Sequence, residues 1–226
     1  MANSPSFVLV ATGLAFEARI ARRMPPARVC CGRGPGLAAS LESALSPGCR
    51  GIVSFGIAGG LDPALPSGCM VIAASVIGPH ERFPADGAWS QNLARALPDA
   101  RSAPLLGLDA AAMDPAVKAR LFRDTGAAAV DMESHIAAGI ASRHSLPFAA
   151  LRAIADPAGG RVPVSAIAGL QPDGHTNVAG VMKSLLRNPC DLPALIHVAR
   201  GAAKARSALQ TAARQVGSGF GLSGLA

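Results

Sequence analysis

The sequence predicts an α/β fold: a three-layer sandwich in which helices cover both faces of a central, mainly parallel or mixed sheet. Three observations predict it. The apolar runs Phe7–Ala11, Gly51–Phe55, Cys69–Ile77 and Pro147–Ile154 have the length and all-round hydrophobicity of strands buried on both faces. Segments with helical spacing alternate with them, the βα pattern that builds parallel sheets. With 50% hydrophobic and 15% charged residues, the 226-residue chain can bury a large core, and no linker or repeat divides it, so residues 1–226 are read as a single domain.

The first run ends at Thr12–Gly13 and gives way to a helical stretch carrying Glu17, Arg19, Arg22 and Arg23. A short strand at Arg28–Cys31 enters Gly32-Arg33-Gly34-Pro35-Gly36, after which Leu37 to Leu45 is helical with Pro35 in its first turn. Gly51–Phe55 is closed by a glycine loop, Gly56 to Leu61, and Cys69–Ile77 follows. Pro79 to Gly87 reads as a loop, and helices at Ala88–Leu97 and Asp114–Asp124 bracket a strand at Ala103–Leu108. Ala127–Val130 leads into a helix from Met132 to His144, and Pro147–Ile154 is the last strand. Asp156–Gly160 is a turn, Val162–Gly174 is irregular, and helices follow at Asn177–Leu186 and Asp191–Gln210. The Gly/Ser-rich tail Val216–Ala226 is expected to fray.

Composition excludes several functions. The net charge of +7 comes from basic residues scattered singly or in short groups without interleaved aromatics, which argues against nucleic acid. The five cysteines, Cys30, Cys31, Cys49, Cys69 and Cys190, form no C-x-x-C pair, so reduced thiols in the cytoplasm are expected, with no metal site. The run from Phe7 to Phe16 is too short to span a bilayer and lacks the frame of a signal peptide.

Four segments can carry chemistry. In Gly32-Arg33-Gly34, backbone N–H groups and a guanidinium could hold phosphate at a helix N-terminus, or the segment is a tight turn. The glycine-rich Gly56-Ile57-Ala58-Gly59-Gly60-Leu61 suits close approach of a ligand, or a crowded crossing. In Val130-Asp131-Met132-Glu133-Ser134, Asp131 caps a helix; Glu133 complements its dipole or accepts two hydrogen bonds from a ribose diol. In Arg152-Ala153-Ile154-Ala155-Asp156-Pro157, an acid at a buried strand tip holds a proton it can give to a leaving group, or simply caps a turn.

Taken in order, Gly56–Leu61, Val130–Ser134 and Arg152–Asp156 resemble the purine nucleoside phosphorylase superfamily, especially its methylthioadenosine/S-adenosylhomocysteine nucleosidase branch. There the corresponding segments read like G-S-A-G-G-L, V-E-M-E and R-A-I-S-D. The resemblance covers residues 7–157 and implies a nucleoside phosphorylase-like fold and cleavage of an N-glycosidic bond. It implies that Glu133 grips the ribose hydroxyls with Met132 beside the sugar, that Gly59, Gly60 and Ile57 line the substrate, and that Asp156 protonates the purine. The water-activating carboxylate falls at Glu17 or beside it at Ala18. Ile57 stands where that branch has a serine, and Gly107–Met113 lacks an adenine-stacking aromatic. With Gly32, Arg33 and Gly34, these departures bring phosphate in as an alternative nucleophile and co-substrate; no other cofactor is implied.

The sequence also looks like the hopanoid-associated phosphorylases, in an E-A-R stretch at Glu17–Arg19 and a C-terminal region like Leu185–Arg200. That resemblance implies release of adenine from adenosylhopane, an apolar groove built by Val162–Leu170 and the last two helices, and a basic surface drawn to anionic membranes. The superfamily resemblance implies a homo-oligomer, and a homodimer is expected. Hydrolysis of methylthioadenosine or S-adenosylhomocysteine, a nucleoside-binding module without chemistry, and an unrelated nicotinamide-binding domain stay open as other readings.

Overall fold

A computed structural model of the chain describes residues 5–168, 175 and 177–223. Strand β1 (Phe7–Thr12) is buried along its whole length, and its side chains alternate between two cores: Phe7, Leu9 and Ala11 face one, Val8 and Val10 the other. Parallel partners flank it, β2 (Ala27–Cys31) on one edge and the first half of β3 (Cys49–Gly60) on the other. The remaining strands are β4 (Met70–Ile77), β5 (Arg82–Pro84), β6 (Arg101–Gly107), β7 (Ala129–Asp131) and β8 (Phe148–Asp156). The sheet runs β2-β1-β3-β7-β6-β4-β5, and β8 bridges β3 and β4. Consequently β3, β7, β6, β4 and β8 close a ring beside an open parallel wing. The sheet is mixed: β3–β7, β4–β5 and β4–β8 are antiparallel, and the other pairs are parallel.

Helices cover both faces. On one lie α2 (Gly34–Ala44) and α5 (Ser134–Arg143), which insert Leu37, Leu41, Ala137 and Ile140. On the other lie α1 (Ala15–Ala21), α3 (Gly87–Ala96) and the 25-residue α8 (Leu192–Val216), which insert Ile20, Trp89, Leu93, Ala205 and Leu209. Helix α4 (Pro115–Thr125) packs Leu121 and Phe122 over Leu106 and Val130. It starts on an Asp114 cap and ends on Gly126 in the left-handed conformation. Two short helices, α6 (Val164–Ala168) and α7 (Val178–Arg187), precede α8. Among the described residues no helix is long and apolar enough to cross a membrane.

Four sequence expectations are corrected. The glycine run after Phe55 is not a loop: β3 continues to Gly60, because Gly59 and Gly60 pair with β7 while Ile57 to Gly59 pair with β8. The 79–87 segment contains β5, whose Phe83 is drawn into the core. The irregular stretch after Val162 contains α6, while Gly169–Gly174 lies outside the described residues. The C-terminal segment does not fray at Val216. A short 3-10 turn at Ser218–Gly221 buries Phe220 edge-on against Phe55, and the indole of Trp89 donates to the Phe220 carbonyl at 2.7 Å. One buried ring, with a backbone carbonyl that accepts from Trp89, outweighs the local glycine content.

Candidate active site

The C-terminal ends of β1, β3, β7 and β8 converge on a cavity of about 550 Å³, the usual place for a ligand on an α/β sheet. Its wall includes Glu17, Arg33, Ile57, Gly59, Asp131, Met132, Glu133 and Asp156, so four carboxylates from three distant parts of the sequence share one space. Gly32, Gly34 and Gly60 do not reach the wall; of the 32–34 segment, Arg33 alone does. Ala110, Ala111 and Ala112 form the wall where an aromatic residue was missing from the sequence.

Glu17 sits in the first turn of α1. Its carboxylate accepts the backbone N–H groups of Gly13 at 3.0 Å, Leu14 at 2.8 Å and Ile57 at 2.7 Å. These donors from the β1 turn and from β3 form a concave anion nest, which the protein's own carboxylate fills. Burial pushes the Glu17 carboxyl above its ordinary range, and nearby Arg152 with the three N–H groups opposes that rise.

Glu133 is set by the β7–α5 junction. Asp131 at the end of β7 accepts the N–H groups of Glu133 at 2.9 Å and Ser134 at 2.6 Å, capping α5 and leaving the Glu133 side chain free for the cavity. Burial, with Asp131 and Glu17 close by, pushes Glu133 up to about 8 against the pull of Arg152. A Cβ at Gly13 would meet the Glu133 carboxylate and displace it, so the glycine leaves that carboxylate its place.

Sequence reasoning quoted Arg152 without seeing its role. It is fully buried in β8, and its guanidinium lies 3.1 Å from Asp131 Oδ2 and 3.5 Å from Glu133 Oε2. It also donates to the hydroxyl of Ser54 at 2.5 Å and to that of Ser134 at 3.1 Å. Burial of a charge is tolerated when it is paired and fully hydrogen-bonded. One cation among Asp131, Glu133 and Glu17 does not neutralise all three, and the Glu17 and Glu133 carboxyls lie above their ordinary range chiefly through burial. Space for the guanidinium comes from Gly56, where a Cβ would meet both Arg152 and, at 2.6 Å, Glu17 Oε1.

Asp156 ends β8 and lines the same cavity. Burial raises its carboxyl above the ordinary value, and the ammonium of Lys118, in contact with Oδ2, limits the rise. Nothing in the sequence marked Lys118, which looks like any lysine on a helix surface. The outer wall of the cavity is apolar: Leu14, Phe16, Val162, Val181, Leu195 and Val198 contribute to it, the last three from α7 and α8. Among the described residues no group of His, Cys, Asp and Glu could hold a metal ion.

The phosphorylase superfamily model matches residues 10–187. No curated protein matches the sequence. Among solved structures, the chain is similar to 5'-methylthioadenosine/S-adenosylhomocysteine nucleosidase from Neisseria meningitidis in complex with methylthio-immucillin-A, with a TM-score of 0.69 and 16% identity over 93% of this chain and 98% of that one. It is also similar to native futalosine hydrolase of Helicobacter pylori, with a TM-score of 0.64 and 12% identity over 92% and 97% of the two chains. The Helicobacter pylori methylthioadenosine/S-adenosylhomocysteine nucleosidase gives 0.62 and 16% over 82% and 99%. With a family model spanning most of the chain, and a fold that matches these structures, this protein belongs to the phosphorylase superfamily.

Proposed function

We propose that the protein hydrolyses the N-glycosidic bond of an adenine nucleoside bearing a large apolar 5′ substituent, adenosylhopane being the candidate, and releases adenine. The observation that carries this reading is the placement of Glu17, Glu133 and Asp156 on one cavity wall, with an apolar outer wall built by α7 and α8. Glu133, ionised when substrate binds, accepts hydrogen bonds from both ribose hydroxyls, and Met132 packs beside the sugar. The Asp156 carboxyl proton passes to the imidazole-ring nitrogen of the purine as the C1′–N bond breaks and its electron pair leaves with the base. Glu17 then takes a proton from water as the water oxygen bonds to the oxocarbenium-like C1′.

Water is favoured over phosphate by the filled nest: the N–H groups of Gly13, Leu14 and Ile57 already serve Glu17, and a second anion there would meet its charge. Arg33 on the cavity wall favours the second reading, phosphorolysis. The exposed apolar side chains Val164, Met182, Leu186, Leu192 and Ile196 cluster on α6 to α8 with Lys183 and Arg187, which supports approach to an anionic lipid surface. In this reading a cytoplasmic homodimer draws a lipid-linked nucleoside from a membrane. The test is chromatography of free adenine from adenosylhopane, methylthioadenosine, S-adenosylhomocysteine and adenosine, with and without phosphate. Adenine release that needs phosphate and yields a ribose phosphate would replace hydrolysis by phosphorolysis, and no release from any nucleoside would sink the enzymatic reading.

A further inference from the structure

Lys118 lies in the first half of α4, and its side chain is wholly shielded from solvent. A buried ammonium is costly unless its protons are all used. Here Nζ donates to the Gly160 carbonyl at 2.8 Å and to the Pro157 carbonyl at 3.2 Å, and its remaining contact is Asp156 Oδ2. Asp156 lines the cavity and Lys118 does not, so the cation stands outside the wall, in contact with Asp156 Oδ2. The two carbonyls take two of the three ammonium protons, and the carboxylate of Asp156 takes the third and faces the charge.

We propose that Lys118 is a positioning residue that sets how readily Asp156 gives its proton to the departing purine. The proposal rests on Asp156 being the acid of the reaction read above. A carboxyl made a weak acid by burial holds its proton but gives it up reluctantly. When the C1′–N bond breaks and the Asp156 proton moves to the ring nitrogen, a carboxylate is left in a buried place. The Lys118 ammonium, already in contact with Oδ2, stabilises that carboxylate without any rearrangement, as a preorganised dipole or charge does. Burial and the ammonium thus act on Asp156 in opposite directions, burial being the larger. The other charged groups around the cavity are Glu17 from α1, Asp131 at the end of β7, Glu133 at the start of α5 and Arg33 at the start of α2.

The test compares Lys118→Met, Lys118→Arg and Asp156→Asn in the full-length protein. The pH dependence of kcat/KM is measured with methylthioadenosine, whose base needs protonation, and with p-nitrophenyl riboside, whose leaving group does not. For Lys118→Met we expect a roughly 10–100-fold loss on methylthioadenosine. Its alkaline limb should move up by about 1–3 pH units, because the charge that favours the ionised carboxyl is gone. The aryl riboside rate should stay within about threefold, and Lys118→Arg should keep the wild-type limb. Should the Met variant fail to fold, Lys118→Gln, which keeps a donor for the carbonyls, carries the same readout. Equal losses on both substrates with an unmoved limb, while Asp156→Asn still abolishes adenine release, would overturn the role of Lys118. Undiminished adenine release by Asp156→Asn would instead remove the acid on which the inference stands.

Discussion

Glu133→Gln should make the unliganded protein more stable at alkaline pH while disabling it. The Glu133 carboxyl lies at about 8 in the folded chain and near 4.5 when unfolded. Between those values the folded state binds a proton that the unfolded state has released. Stability therefore falls as pH rises through this window, and the penalty is absent below about 4.5 and complete above about 8. A shift of that size is equivalent to roughly 5 kcal/mol. The amide also gives up the charge pairing with Arg152, 3.5 Å from Oε2, which leaves Asp131 as that guanidinium's close anion. We therefore expect a net gain of about 2–3 kcal/mol at pH 8, and at roughly 2–4 °C per kcal/mol for a chain of this size, a rise in Tm of about 4–12 °C.

The assay is thermal unfolding of both proteins, followed by circular dichroism at pH 5 to 8.5. The gap in Tm should be smallest at pH 5 and widen steadily. In parallel, kcat/KM should fall roughly 100-fold or more, since an amide cannot accept from both hydroxyls of a diol as a carboxylate does. A Tm gap independent of pH, or a variant less stable than wild type at pH 8, would show that the carboxyl carries no unrelieved charge. The electrostatic account of the site would then be wrong.

Three further outcomes are expected. Asp156→Asn should lower adenine release roughly 10²–10⁴-fold in a steady-state assay, with Tm changed little because the amide oxygen still accepts from Lys118. Gly56→Ala should destabilise the protein by about 1–3 kcal/mol in urea titration, since the new methyl must displace Arg152 or Glu17 from a packed network. Phe220→Ala should cost about 3–5 kcal/mol, the mark of a core ring, whereas a frayed tail would show no change.

The carboxylates at strand ends were legible because their chemistry is local: Asp131 and Glu133 follow an apolar strand, and Asp156 ends one. The glycines of β3 misled, since glycine signals a loop by its own backbone entropy, while here two neighbouring strands hold it extended. Phe220 misled in the same way, its burial depending on Trp89 and Phe55 more than 100 residues away. Lys118 left no trace, because a helix shows its lysines alike whether they meet solvent or a strand end from another part of the chain.

Arg152 is the instructive case between these extremes. A lone charge inside Phe148–Asp156, a strand with no other charge until its tip, cannot be buried without anions around it. That constraint alone predicts a cluster of carboxylates from other elements facing β8. The structure supplies them as Asp131, Glu133 and Glu17, all of which line the cavity. The buried cation thus does more than satisfy the fold. It holds acids close together in a dry place, where burial pushes the Glu17 and Glu133 carboxyls up, and groups poised to take or release a proton are what cleavage of a glycosidic bond requires.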